Sequence, residues 1–108
     1  MDILSAMKLA SNGVKIARLY WIDLVREYPD DPDGKWRRSE SVPVYFVYNK
    51  EYEVLDVYNR YRELIKRYAD KFNPFGFEYE DIIANDYVEF TDDLLDNALK
   101  EDGMANAK

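Results

Sequence analysis

Two short segments of the chain carry side chains whose chemistry suits a small nucleotide. The first, "RLYW", contains Arg18 and Trp21, and the second, "EDIIANDYVEF", contains Asn85, Asp86 and Tyr87. A nucleobase needs an aromatic face, a pyrophosphate needs guanidinium or backbone N–H donors, and ribose hydroxyls need short polar partners. The candidate ligand-binding residues are Arg18, Trp21, Trp36, Asn85, Asp86 and Tyr87, and the basic residues that could attract an anion are Lys15, Arg18, Lys35, Arg37 and Arg38.

Each candidate also has a purely structural interpretation. Trp21 could be a core aromatic residue, and Arg18 could pair with an acidic residue on a neighbouring strand. Asn85 and Asp86 could form Asx turns that cap the backbone, and Trp36 could lie in a solvated loop. No single residue decides between the two interpretations.

The composition narrows the function classes. The chain has 108 residues, a net charge of −7, no cysteine and no histidine. An acidic domain repels the phosphate backbone, which disfavours DNA and RNA as ligands. Without Cys or His, the thiol nucleophile and the commonest general base and metal ligand are missing, so we expect a non-enzymatic protein with no metal and no cofactor. No apolar run approaches the roughly 20 residues that span a bilayer, and the N-terminus lacks a signal-peptide pattern, so we expect a soluble intracellular protein.

The N-terminal half is predicted to contain one helix and two strands. Asp2 should cap a helix that ends at Ala10, with Asn12-Gly13 as its left-handed exit. Alternating residues predict a strand over Val14–Trp21. A loop rich in Pro, Asp and Gly is predicted over Glu27–Ser41, and a β-branched and aromatic strand over Val42–Asn49.

A long amphipathic helix is predicted from Lys50 to Phe72. Apolar residues recur at spacings of four and three, Asn49 can cap the helix, and Asn73-Pro74 can end it. The apolar stripe consists of Val54, Tyr58, Tyr61, Ile65, Tyr68 and Phe72. Because tyrosine suits a boundary that is apolar on one side and wet on the other, we expect part of this helix to lie at a subunit contact of a homo-oligomer.

The C-terminal third is predicted as a helical turn, a short strand and a helix. Ile82 and Ile83 should anchor the turn in the core, so that the step from Asn85 to Tyr87 faces a cleft. "YVEF" predicts a strand, and Thr91 should cap a helix that ends at about Lys100. The fold class is therefore α+β, a small antiparallel β-sheet with an N-terminal helix, a long central amphipathic helix and a short C-terminal helix. We expect one domain over residues 1–100 and a disordered tail over residues 101–108.

The two ends of the chain resemble the Thoeris anti-defence 2-like domain family of phage proteins. "ILSAMKLASNGVKIARLYW" is similar to the family's opening helix, glycine, strand and Arg-x-x-Trp, and "EDIIANDYVEF" is similar to its closing motif. The matching positions are Arg18, Trp21, Asp81, Ala84, Asp86 and Tyr87. Family members generally have a tryptophan where Tyr87 stands, and a β segment punctuated by Pro and Gly where this sequence predicts the central helix.

The resemblance implies a protein that binds a nucleotide signal of the cyclic ADP-ribose class without cleaving it, in the cytoplasm of the host. It also implies a homo-oligomer with ligand pockets at subunit junctions. Two other classes stay open. One is an acidic inhibitor that binds a host defence protein directly, and the other is an enzyme, although the paired carboxylates of the sequence lie in predicted turns and caps.

Overall fold

The computed structural model describes residues 1–28, 39–68 and 78–107. Its elements in chain order are α1 (Ile3–Ala10), β1 (Ile16–Arg18), α2 (Leu19–Glu27), β2 (Tyr45–Asn49), β3 (Val54–Tyr58), β4 (Leu64–Tyr68), α3 (Tyr79–Ile83), β5 (Tyr87–Glu89) and α4 (Asp92–Ala107). The predicted α+β class is confirmed, with an antiparallel sheet, an N-terminal helix and a C-terminal helix. The last helix continues to Ala107, past the end at about Lys100 that the pattern predicts.

Helix α1 has the two ends that the sequence predicts. The Asp2 carboxylate accepts a hydrogen bond from the backbone N–H of Ser5 at 2.9 Å, which satisfies one of the free donors of the first turn. After Ala10 the chain turns through Gly13, whose φ of +91° is a left-handed conformation that glycine adopts without steric cost. Both the cap and the exit are confirmed.

The five strands within the described residues form one sheet in the order β4-β3-β2-β1-β5, and every neighbouring pair is antiparallel. β5 pairs with β1, so that Tyr87 lies opposite Arg18 and Val88 lies opposite Ala17. This pairing joins the two segments that carry the candidate residues, although they are far apart in the sequence.

A hydrophobic core lies on each face of the sheet. Neighbouring residues of β1 point to opposite faces, so that Ile16 belongs to one core and Ala17 to the other. The first core is covered by α1, whose Ala6 and Ala10 are fully buried, and the second is covered by α2 and α4. The largest side chains of the two cores are Trp21, Phe46, Leu55 and Tyr87 in the first and Ile22, Tyr45, Phe90 and Leu95 in the second.

The predicted central helix from Lys50 to Phe72 is wrong, because two strands, β3 and β4, form within that segment. β3 pairs with β2 on one side and β4 on the other. Four consecutive residues of β3, from Val54 to Val57, are buried, and this hides the alternation that identifies a strand. The subunit contact predicted on the helix therefore loses its structural basis, and Phe72 lies outside the described residues.

Two asparagines form the turns that replace this helix. Asn49 was predicted to cap the helix, but its Oδ1 accepts hydrogen bonds from the backbone N–H groups of Glu51 and Tyr52, and so caps the turn between β2 and β3. Asn59 is fully buried, and its Oδ1 accepts two backbone N–H groups of the turn between β3 and β4. Such local hydrogen bonds offer the backbone an alternative to the helix.

The strand predicted over Val14–Trp21 is shorter than expected. It ends at Arg18, and α2 begins at once, so Trp21 lies on a helix. The reason is that Trp21, Ile22 and Val25 are all buried, and this spacing is helical rather than alternating. β2 likewise begins at Tyr45 instead of Val42.

The elements near the C-terminus agree with the sequence. α3 is the expected helical turn, and β5 is the expected short strand. The Thr91 Oγ1 accepts a hydrogen bond from the backbone N–H of Leu94, as predicted for a helix cap. Most of the predicted loop over Glu27–Ser41 lies outside the described residues. In the part of the chain that the structure describes, no helix combines the length and hydropathy needed to cross a membrane.

Candidate functional site

Arg18 lies at the junction of β1 and α2, where its side chain reaches the two carboxylates of the closing motif. Its Nη1 donates a hydrogen bond to Asp81 Oδ1 at 2.6 Å, and its Nε donates to Asp86 Oδ1 at 2.8 Å. The side chains of Arg18 and Asp81 are only 11% and 17% exposed, so water screens this ion pair weakly. Among the described residues, the third nitrogen, Nη2, has no hydrogen-bond partner. One guanidinium and two carboxylates leave the cluster with a net negative charge.

Asp81 is held in place by the first turn of α3. The backbone carbonyl of Glu78 accepts a hydrogen bond from the backbone N–H of Asp81 at 3.0 Å, and Asp81 Oδ2 accepts one from the backbone N–H of Glu78 at 3.3 Å. The backbone carbonyl of Asp81 also accepts a hydrogen bond from the Tyr87 hydroxyl at 2.6 Å. These contacts link α3 to both Arg18 and β5, and they fix the helix against the sheet.

Asp86 is positioned by the first turn of α2. Its Oδ2 accepts a hydrogen bond from the backbone N–H of Tyr20 at 3.0 Å, and its backbone carbonyl accepts one from Leu19 at 3.1 Å. Burial disfavours the charged carboxylate, but the hydrogen bonds from Arg18 and Tyr20 outweigh it and hold the pKa of Asp86 below its ordinary value. Burial also opposes the charge of Arg18, while hydrogen bonds to Asp86 and Asp81 raise the pKa of Arg18. Arg18 and Asp86 are therefore both charged throughout the neutral range.

Trp21 and Tyr87 belong to the hydrophobic core. Trp21 is 6% exposed and Tyr87 is fully buried. Together with Phe46 they make three edge-to-face contacts, with ring centroids 6.1, 6.5 and 6.3 Å apart, an arrangement that aromatic pairs favour. The enclosed Trp21 ring leaves no open face for a nucleobase, which contradicts the stacking role predicted for it. Burial, with a smaller contribution from Asp81, raises the pKa of Tyr87, so its hydroxyl stays a donor.

Tyr20 is a candidate that the sequence analysis missed. Its ring is exposed, and the guanidinium carbon of Arg18 lies 5.2 Å from the ring centroid. This cation–π contact orients Tyr20 beside the charged cluster. The "RLYW" segment itself could have identified Tyr20. A helix that begins at Leu19 and buries Trp21 turns Tyr20 outward. Tyr20 thus replaces Trp21 as the aromatic surface that a ligand can reach.

Asn85 is exposed next to the charged cluster. Its backbone carbonyl accepts a hydrogen bond from the amino group of Met1 at 3.2 Å, and its side-chain amide has no hydrogen-bond partner within the described ranges. The side chain of Asp86 is partly exposed. Trp36 and its basic neighbours lie outside the described residues. The Arg18 side chain contacts both Asp86 and the Tyr20 ring, and Asn85 is the exposed neighbour of Asp86 in the sequence.

The two isoleucines of the closing motif do not anchor α3 in the core, as was predicted for them. Ile82 and Ile83 are both exposed, and α3 has no buried residue. The reason is that Asp81 is the residue of this short helix that faces the protein, through its contacts with Arg18 and Tyr87. The isoleucines are consequently turned towards solvent.

Comparison of the chain with models of protein families, with curated proteins and with solved structures found no match. The function is therefore inferred from the geometry of the site and from the motifs that meet there.

Proposed function

We propose that the protein binds and sequesters a cyclic nucleotide immune signal of the cyclic ADP-ribose class without cleaving it, as a phage anti-defence protein in the host cytoplasm. The observation that carries this proposal is the double ion pair of Arg18 with Asp81 and Asp86. These residues come from the opening and closing motifs that resemble the Thoeris anti-defence 2-like domain family. Two distant motifs that serve one ligand must meet in the folded chain, and these two do.

The structure of the central segment adds support to the resemblance. Family members generally have a β segment in the region where the pattern of this sequence predicts a central helix. The chain forms the strands β3 and β4 in that region. The helix, the largest predicted difference from the family, is thus absent, although the segment contains neither the Pro nor the Gly of the family pattern. The difference at Tyr87, where tryptophan is usual, conserves an aromatic ring in the same position of the motif.

The exposed groups around Arg18 match those that a cyclic ADP-ribose-type ligand needs. The Tyr20 ring can stack on a base, and Nη2 of Arg18 can donate to a phosphate oxygen. The amide of Asn85 and the carboxylate of Asp86 can hydrogen-bond to ribose hydroxyls. Because the cluster has a net negative charge, binding of a pyrophosphate requires further cations. The basic residues on either side of Trp36 are the candidates that the sequence offers for this role.

Sequestration is favoured over cleavage by the side chains that the chain offers. The sequence has no histidine and no cysteine, so the commonest general base and the thiol nucleophile are missing. The depressed pKa of Asp86 makes this carboxylate a poor proton acceptor near neutral pH. The homo-oligomer with pockets between subunits remains part of the proposal on the resemblance alone, and multi-angle light scattering measures it directly.

A panel of cyclic ADP-ribose-type nucleotides and cyclic dinucleotides tests this function. A ligand of the protein should raise its melting temperature by mass action. After heating to denature the protein, mass spectrometry should recover that ligand intact. Recovery of a cleaved product would identify an enzyme instead, and the absence of any stabilising nucleotide would refute the proposal.

Tyr20→Ala is the variant that tests the site itself. Loss of the stacking ring should weaken nucleotide binding by about 1–3 kcal/mol, measured by calorimetry. Tyr28→Ala is the matched control, because Tyr28 follows the same helix and is similarly exposed, at 47% against 53% for Tyr20. Equal affinities for the two variants would mean that the ligand does not stack on Tyr20.

A further inference from the structure

Helix α3 is amphipathic in the reverse sense, with its polar side towards the protein and its apolar side towards solvent. Tyr79, Ile82 and Ile83 are spaced by three and four residues and therefore share one face of the helix. Their side chains are 69%, 49% and 56% exposed. These three residues are called the α3 surface below. Three large apolar side chains on five residues form the kind of exposed patch that marks an interaction site.

The opposite side of the helix explains why this patch cannot rotate inward. Asp81 is fixed by Arg18 at 2.6 Å, and its carbonyl is fixed by the Tyr87 hydroxyl at 2.6 Å. Both contacts would break if the helix turned to bury its isoleucines. The outward orientation is thus imposed by the ion-paired cluster.

The charges around the patch indicate the chemistry of what covers it. Glu78 and Glu80 are exposed on the same helix, and the segment from residue 78 to residue 90 contains no lysine or arginine. Of the described cations, Arg18 contacts this region and is already paired with two carboxylates, and the amino group of Met1 donates hydrogen bonds to the backbone carbonyls of Asn85 and Tyr87. The α3 surface therefore has an apolar centre and an acidic rim.

We infer that the α3 surface binds a protein partner that presents an apolar patch bordered by lysine or arginine side chains. Complementary charge at the rim steers such a partner and sets its register. A second copy of the chain that docked through the same face would bring two acidic rims together, and nucleic acids and anionic membranes meet the same repulsion. The inference does not rest on nucleotide binding, because Ile82 and Ile83 lie outside the proposed ligand surface.

Two synthetic amphipathic helices test this inference, one with a leucine face bordered by lysines and one with glutamates in place of the lysines. Calorimetry should show that the lysine peptide binds the full chain and that the glutamate peptide does not. Replacing both isoleucines, Ile82→Ser with Ile83→Ser, should weaken binding by at least about tenfold. Leu64→Ser is the matched control, because Leu64 is similarly exposed on β4, at the edge of the sheet opposite β5, and it should leave binding unchanged.

The alternatives give different results in the same experiment. No binding of the lysine peptide, or equal losses in the double variant and in Leu64→Ser, would overturn the inference. Light scattering on the unmutated chain and the double variant adds one more outcome. Self-association that disappears in the double variant would assign the surface to a second copy and overturn the proposed partner. Circular dichroism checks that the double variant is folded, which its exposed positions favour.

Discussion

Two arginine–aspartate pairs in this protein have the same geometry and different surroundings. Arg18 Nη1 lies 2.6 Å from Asp81 Oδ1, and Arg62 Nη2 lies 2.6 Å from Asp92 Oδ1. The first pair is 11% and 17% exposed, whereas the second is 63% and 62% exposed. Water screens the second pair and leaves it little net energy, while removal of one partner from the first pair strands a shielded charge. Equal distances thus conceal unequal contributions to stability.

The two pairs also differ in what they connect. Arg18 joins β1 to α3 and to the residue before β5, so it holds the opening and closing motifs together. Arg62 joins an exposed turn to the start of α4. Its φ of 63° is a left-handed conformation that costs a non-glycine residue energy. The first pair therefore connects the elements of the candidate site. The second lies on the surface beside a turn with a left-handed residue.

Arg18→Ala should have the largest effect on stability. It leaves Asp81 and Asp86 partly buried without their cation, and we expect a loss of about 3 kcal/mol in the free energy of unfolding, measured in urea. Adding Asp81→Asn and Asp86→Asn to this variant should recover part of the loss, because it removes the stranded charges. A loss below 1 kcal/mol, as expected of exposed pairs, would show that the burial of the cluster does not matter.

Asp86→Asn should have an intermediate effect that depends on pH. The pKa of Asp86 is lowered in the folded state, chiefly by Arg18 and the Tyr20 backbone acting against burial. Its stabilisation is therefore present above the unfolded-state pKa of about 3.9 and is lost as the pH falls through the lower folded-state pKa. The stability difference between the unmutated chain and Asp86→Asn should be constant near neutral pH and shrink in acid. Asp23→Asn, in the exposed pair with Arg26, is the control variant and should change the free energy of unfolding little.

Substitutions at Arg62 should have the smallest effect. Arg62→Ala should change the free energy of unfolding by less than about 1 kcal/mol, and salt should reduce this further. Arg62→Gly should be more stable than Arg62→Ala by about 1 kcal/mol, because glycine adopts the positive φ without strain. If Arg62→Ala lowered the free energy of unfolding as much as Arg18→Ala, the proposed difference between the two pairs would be wrong.

Local signals predicted the fold where the structure depends on local contacts. The Asp2 cap, the Gly13 exit and the Thr91 cap each involve residues within one or two turns, and all three are confirmed. The prediction for the central segment was wrong because the apolar spacing of this segment fits a helix and a pair of buried strands equally well. Pairing of β3 with β2 and β4 decides between them, and that pairing is not visible in the segment itself.

The candidate site was predicted in part for the same reason. Residue types and motifs identified Arg18 and Asp86, which are in contact, and their exposed neighbour Asn85. They could not show that Trp21 is enclosed by Phe46 and Tyr87, because that depends on where β1 ends and α2 begins. With α2 beginning at Leu19, Trp21 is buried and Tyr20 is exposed.

The pairing of β1 with β5 also determines when the site can exist during protein synthesis. The hairpins β2–β3 and β3–β4 join neighbouring segments and can close as they leave the ribosome, and β1 can pair with β2, whereas the pairing of β1 with β5 requires residues 87–89. Until Asp81 and Asp86 emerge, Arg18 has neither of its carboxylates. A nascent chain thus acquires the Arg18 cluster only after Asp81 and Asp86 have been synthesised, and a product that terminates before Asp81 carries the central hairpins without the cluster.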